Sequence, residues 1–517
     1  MKKPHVQQRT ERRISAALRL VMVAVLLVAQ IALVFLLSDV LKQRMALAYS
    51  ALELLAAVVA VTIWSRPGAT SYKIGWVMLV LFVPVVGVIL YLLWNGARQS
   101  KRLDLKKLPR PEEPLAQQEQ AKSELERLRQ AMPCWYPAAA GLDRKGFSVY
   151  RNTAVKYLPT GEAYLNTMLD DLEHAERFIF LEYFIVAEGE IWDQLSDILC
   201  RKSGQGVEVK LIFDDFGSML RLPNEKVEAL TRAGVEVKIF NPVHHYVNRL
   251  YFNYRDHRKI TCIDGDTAYT GGANIADEYA NIVERFGYWK DCGVRLEGEG
   301  AWGLTREFIH MWERMDGEMH SEHDYYRPVH HAAAQGFCQT LVDGPDDNPN
   351  APAEDLFLQF ITRARQSVYV TTPYLAIDEP MMKALCLAGD SGVDVRLMMP
   401  GVPDHKFAYL VAESYFEELM EHHVKIYTFT PGLIHGKTAM ADREVAFVGS
   451  VNMDYRSFQL HFECGEVLYG VPAIESLLED MDRIVDSSEL MTPQRMAERP
   501  VWRRLLGTVL RLFAMWM

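Results

Sequence analysis

The middle of this chain is written twice, and no other feature constrains its fold as much. The first copy carries a helix pattern at residues 164–175 and a β-rich run at 177–184. A second helix pattern from Ile191 and β-rich runs at 206–213 and 234–240 follow. It closes on His257, Lys259 and Asp264, then Gly272 and Asn274. The second copy repeats the order, with a helix pattern at 357–365 and β-rich runs at 367–374, 392–398 and 423–427. It closes on His435, Lys437 and Asp442, then Ser450 and Asn452. Short β-rich runs alternating with helix-length patterns predict α/β sheets with helices on their faces. Two such copies predict two fused α/β halves related by a pseudo-two-fold axis, with a site where they meet.

The repeated motif is HxKxxxxD, followed at a fixed offset by a Gly, a small residue and an Asn. On a strand, residues two apart share a face, so His257 lies beside Lys259 and His435 beside Lys437. One such triplet arises by chance; two with the same Asp, Gly and Asn offsets specify a site. Lysines supply positive charge, and asparagines and the backbone beside small residues supply donors. That set suits a phosphoryl centre neutralised by protein groups, with one imidazole attacking phosphorus and the other protonating the leaving oxygen. No cofactor and no metal are expected. Each histidine needs an orienting carboxylate. Glu463, 28 residues beyond His435, is the candidate for the second motif, and Asp291, 34 residues beyond His257, for the first. Asp264 and Asp442 complete the motif by fixing a turn and a strand.

With these motifs the chain resembles the phospholipase D (HKD) superfamily. The stretches around Trp76, Glu182, Pro373, Pro403 and Arg456 are similar to one branch of it, the bacterial cardiolipin synthases. The resemblance covers nearly the whole chain. It implies two phospholipase D-like halves and phosphatidyl transfer between two phosphatidylglycerol molecules, giving cardiolipin and glycerol through a phosphohistidine. His257 is then the nucleophile and His435 the general acid, then base, although the residues alone are symmetric about that choice. Lys259, Lys437, Asn274 and Asn452 would hold the phosphate oxygens, with Ser450 assisting. Gly272 departs from its counterpart Ser450 by lacking a hydroxyl. Water as acceptor would make a phospholipase D, and another alcohol another phosphatidyltransferase. A non-catalytic lipid-binding protein is the rival outside enzymes, and the two intact motifs weigh against it.

Charge is segregated along the chain. Residues 1–110 carry 16 Lys/Arg against 4 Asp/Glu, and the last 23 residues carry 5 against 1. The formal total is −11, so the part between them is strongly acidic. An acidic body argues against a nucleic-acid track. The basic ends suit phosphatidylglycerol and other anionic membrane lipids. Apolar runs at 20–37, 46–64 and 74–94 predict N-terminal transmembrane helices, two or three in number. Basic residues flank both ends of this region, which asks for a cytoplasmic catalytic part and one re-entrant segment, in the run of Glu53 or that of Pro84. The expected division is a membrane anchor at 1–100, a basic segment and linker at 101–133, HKD halves at 134–335 and 336–487, and a basic amphipathic tail at 488–517. The seven cysteines show no paired spacing and are expected as reduced thiols. Five histidines between His310 and His331 fit no zinc pattern and are expected in a solvated loop. Asp214 and Asp215 are placed as strand-end caps or site-lining groups, and Tyr183 and Tyr374 as pocket or core residues.

Overall fold

The computed structural model describes residues 46–66, 70–94, 105–111, 113–242, 254–320, 322–345, 351–512 and 514. The chain divides into two compact units, one containing the N-terminal helices and one the duplicated body.

In the N-terminal unit, α1 (Ala46–Trp64) is followed by α2 (Thr70–Phe82) and α3 (Pro84–Trp94). The run expected as one helix across 74–94 is broken at Val83, because proline at 84 cannot continue the preceding helix unkinked. The two arms fold back on each other. A Cβ on Gly87 would lie 2.4 Å from the carbonyl oxygen of Leu79, so only glycine permits the approach. Trp76 and Tyr91 meet edge to face at 5.5 Å, where a straight helix would part them by about 22 Å. Arms of 13 and 11 residues reach about 20 Å and 17 Å, short of a hydrocarbon core of about 30 Å. Among the described residues no helix is long and apolar enough to cross a membrane. The run at 20–37 lies outside the described residues.

The body contains two large sheets. The first is built from β1 (Thr153–Leu158), β2 (Phe178–Tyr183), β3 (Glu208–Asp214), β4 (Glu236–Phe240), β5 (Lys259–Ile263) and β6 (Thr267–Gly271). After β7 (Tyr288–Lys290), which pairs outside it, β8 (Gly293–Gly298) completes the order β1-β8-β6-β5-β2-β3-β4. The second copy begins with β9 (Phe337–Asp343) and β10 (Ser367–Thr371); β11 (Leu375–Ala376) lies outside its sheet. It continues with β12 (Asp394–Pro400) and β13 (Lys425–Phe429), then β14 (Gly432–Ile434), again outside the sheet. The sheet resumes with β15 (Lys437–Ala441) and β16 (Val445–Gly449), and β17 (Met453–Asp454) pairs with β11. β18 (Glu463–Tyr469) and β19 (Ser488–Leu490) finish the order β9-β18-β16-β15-β10-β12-β13-β19. Seven positions match one for one, including the parallel β2–β3–β4 and β10–β12–β13. The duplication read from the sequence is a duplication of topology. The second sheet runs to Leu490, three residues past the expected boundary at 487.

Local chemistry explains the elements. β2 is buried along its whole length, as a central strand covered on both faces must be, and reads as a nearly unbroken apolar run. The helix Gly161–Glu173 starts where the Thr160 hydroxyl accepts a hydrogen bond from the Ala163 N–H, and buries Leu165, Met168, Leu169 and Leu172 on one side. The two halves also share their cores. Leu433 of the second is buried within the first core, and Tyr157, Cys292 and Val294 of the first lie within the second. The segment expected as a linker is docked on the body. Arg110 pairs with buried Glu307 at 2.9 Å and Glu113 with Arg306 at 3.1 Å, and residues Leu115–Ala131 form a helix. All seven cysteines are free thiols.

Candidate active site

Two short inter-half ribbons carry the histidines. The His257 N–H donates to the carbonyl of Phe462, and Asp256 bridges Phe462 in parallel. In the other half β14 pairs in parallel with β7, and the His435 N–H donates to the carbonyl of Lys290. Each histidine is thus tied by backbone to the residue directly before the carboxylate of the opposite half. Asp480, buried on the helix Ala473–Asp486, reinforces the second ribbon by binding Lys290 at 2.7 Å and the Tyr157 hydroxyl at 2.8 Å.

The carboxylates are therefore exchanged. Glu463 sits 2.9 Å from Nδ1 of His257, and Asp291 sits 2.7 Å from Nδ1 of His435. Both acids chosen from the sequence face a catalytic-motif histidine, but the pairing within each half is wrong. The backbone ribbons make the reason plain, since each brings the tail of one copy to the motif of the other. A carboxylate held at Nδ1 directs Nε2 of each ring away from its acid, to attack as the neutral ring or to donate as the imidazolium. Glu463 also accepts from the Ser450 hydroxyl and, at 2.7 Å, from the Ser457 hydroxyl. Ser450 has one hydrogen to give and gives it to Glu463, so it belongs to the orienting group and not to the phosphate cradle. Gly272 in the corresponding place has no room for a side chain, because a Cβ there would lie 2.2 Å from Oδ1 of Asp291. Asp291 takes its second support from the N–H of Cys292 at 2.9 Å.

Lys259 and Lys437 lie fully buried one strand step beyond the histidines, each donating to the carbonyl of its own histidine. Burial pushes the Lys259 ammonium down to about 7, against the pull of Glu463, and the Lys437 ammonium down to about 8, against Asp291. Burial also lowers both imidazoles. At His257 the charges of Lys259, Lys437 and His435 add to the burial. For His435 the Lys437 charge adds to burial while Asp291 offsets it. Burial alone would raise the Asp291 carboxyl, but His435 and Lys437 hold it below the usual carboxylate value. These shifts leave His257 neutral and two lysines whose charged forms an arriving anion would favour.

The other expected residues sort by contact. Asn274 spends its oxygen on the Ile185 N–H and one hydrogen on the Tyr279 hydroxyl, and Asn452 one hydrogen on Ser457. Each amide has a second hydrogen to offer. Asp264 and Asp442 stand at the far ends of β5 and β15, in left-handed conformations. They accept the N–H groups of 176–178 and 365–367 and take no part in the site itself. Asp214 is buried and holds Arg255 at 3.0 Å and the Asp256 N–H at 3.0 Å, fixing the approach to His257. Tyr183 is a core residue, bonded to Tyr164 and Thr261. Tyr374 donates to Asp404 at 2.6 Å, and Asp404 acts on His435. His310 is not in a solvated loop: it is on the buried helix Ala301–Arg314, with Nε2 against the Leu108 carbonyl.

Several contacts escaped the sequence reading. Phe184 and His461 flank the His257 ring at 5.1 and 5.6 Å, and Tyr279 and Trp289 flank His435 at 5.3 and 5.4 Å. Trp289 and His461, each two residues before its acid, share that acid's face of the chain and were the legible ones. Among the described residues His257, His461 and Glu463 form a cluster of possible metal ligands. Both Glu463 oxygens are already bonded to His257 and to two serines, so the trio serves the histidine and not a cation.

A duplicated mixed sheet that gives each half's histidine the other half's carboxylate is the frame of a phospholipase D-like protein. Residues 168–285 and 357–485 match the family model described as cardiolipin synthase, PLD-like domain, and residues 54–95 match a phospholipase D-nuclease N-terminal model. The cardiolipin synthase of Geobacillus kaustophilus is 35% identical over 86% of this chain and 88% of its own length. Cardiolipin synthase 2 of Bacillus anthracis is 33% identical over 86% of each chain. The crystal structure of the phosphatidylserine synthase of Haemophilus influenzae shares the fold with a TM-score of 0.56 at 14% identity, covering 72% of this chain and 97% of that one. The chain belongs to the cardiolipin synthase family.

Proposed function

We propose that the protein transfers a phosphatidyl group from one phosphatidylglycerol to another, giving cardiolipin and glycerol. The exchanged His–carboxylate pairs over two buried lysines are the observation that carries this reading. Nε2 of neutral His257 attacks phosphorus, and the P–O bond to the headgroup glycerol breaks as His435 donates its proton to that oxygen. The resulting phosphohistidine is attacked by a hydroxyl of the second lipid, whose proton returns to His435 as the P–N bond breaks. Lys259 and Lys437 balance the phosphoryl charge throughout, with Asn274 and Asn452 as further donors. Burial and the neighbouring lysines favour the neutral form of His257 that a nucleophile needs. The apolar N-terminal helices and their basic flanks support attachment to the cell membrane, with the body on the cytoplasmic side.

Purified protein given phosphatidylglycerol alone should form cardiolipin and free glycerol in equal amounts. Phosphatidic acid as the main product would make it a hydrolase instead. A second expectation concerns pH. Lysine is charged below its pKa, so in the free enzyme the two charges are lost in turn as pH rises through about 7 and about 8. Values of kcat/KM should fall on this alkaline limb, since that ratio reports the free enzyme. A profile flat from neutrality to well above the Lys437 value would refute the role given to the lysines.

A further inference from the structure

We infer that the C-terminal helix Val501–Arg511 is a membrane-docking face that seats the body on a lipid bilayer by its apolar side; this rests on the lipid-substrate reading above. The sequence suggests a basic amphipathic helix whose arginines would meet headgroups. The structure turns it over. Arg503 binds Glu413 at 2.8 Å and Arg499 binds it at 3.0 Å, while Arg504 binds Glu417 at 3.1 Å. Arg511 lies 4.1 Å above the Tyr415 ring. All these partners are on the helix Lys406–Glu421. Gly507 is the buried residue of the contact, where a Cβ would come within 2.7 Å of the Leu410 carbonyl. The charged side is thus bound to the body, and the apolar side faces out.

Val501, Trp502, Leu505, Val509 and Leu512 are each more than half exposed, at spacings that make one stripe. A helix on a water-facing surface has the opposite arrangement, apolar inward and charged outward. Three observations favour a bilayer as the occupant. The stripe combines aliphatic side chains with a tryptophan, the composition of interfacial helices, and no acidic residue lies between Arg499 and Leu512. The supporting helix adds Phe407, 64% exposed, at its start. The residues leading into it, Asp404 and His405, contact Tyr374, which follows the central strand β10 of the second half. Because the arginines are spent on glutamates, attachment through this face is apolar and weakly dependent on salt.

The test uses the full-length protein in phosphatidylglycerol vesicles and the double variant Leu505→Glu/Val509→Glu. Both positions face outward, so the thermal melt should not move. Cardiolipin formation from the vesicles is expected to fall about tenfold or more, while formation from short-chain phosphatidylglycerol dispersed as monomers stays at the wild-type rate. Equal loss on both substrates, or no loss on either, overturns the proposal. A change of oligomeric mass in the variant assigns the stripe to a second copy and overturns it too. A wild-type protein making no cardiolipin from either lipid would defeat the proposed reaction and not the docking. Docking is then read separately, as quenching by brominated lipid that is present in the wild type and reduced in Trp502→Phe; unchanged quenching rejects it.

Discussion

His257→Ala and His435→Ala are each expected to lower cardiolipin formation by at least about four orders of magnitude, because each removes a group that makes or breaks a covalent step. The two losses differ in kind, and that difference assigns the roles. His435 is needed to protonate a poor leaving group, the glycerol alkoxide. A phosphodiester with a p-nitrophenolate leaving group needs no such proton, so His435→Ala should cleave it once and stall as a phosphohistidine. His257→Ala has no nucleophile and should leave the same compound intact. A burst of p-nitrophenolate from the His257 variant, and none from the His435 variant, would exchange the roles. Both rings are buried, so a thermal melt of each variant separates loss of chemistry from loss of fold.

Glu463→Gln should cost about 10² to 10⁴ in rate, and Asp291→Asn a similar amount, by analogy with the loss of an orienting carboxylate elsewhere. Glutamine can present its NH₂ to Nδ1 and favour the wrong tautomer, which places the lone pair away from phosphorus. The exchanged pairing gives this prediction its direction. Glu463→Gln should abolish the phosphohistidine burst, because its partner is His257, although Glu463 follows the other motif in sequence. Asp291→Asn should spare the burst with the activated phosphodiester and impair turnover on lipid, because its partner is His435. The opposite pattern would restore pairing within each half. Imidazole titration followed by NMR offers the independent check: Glu463→Gln moves His257 and leaves His435 nearly in place.

Much of this was legible because duplication tests itself. His257, Lys259 and Asp264 mean little alone, but their recurrence at 435, 437 and 442 fixed both the fold class and the address of the site. The acids Asp291 and Glu463 were also legible, since each stands near the start of a strand that borders its motif strand through one neighbour. What sequence order could not supply was which half each acid serves. Periodicity describes one strand and its two faces, whereas the exchange depends on β14 crossing to β7 and on residues 256 and 462 meeting. The same limit explains Ser450 and the C-terminal arginines. Both were given external ligands because a sequence shows donors without showing acceptors, and the acceptors were internal, Glu463 in one case and Glu413 and Glu417 in the other. In the N-terminal run at 74–94 hydropathy measured length along the chain, and a fold at Val83 halves that length in space.

The exchange of carboxylates also sets when during synthesis the enzyme can begin to act. The chain is made from its N-terminus, and His257 leaves the ribosome 206 residues ahead of Glu463. Asp291 waits 144 residues for His435. Until the second sheet is nearly finished, the first half holds a histidine without its acid and an acid without its histidine. A truncated product from a stalled ribosome would hold neither complete pair and would be an inert fragment, not an unregulated lipase.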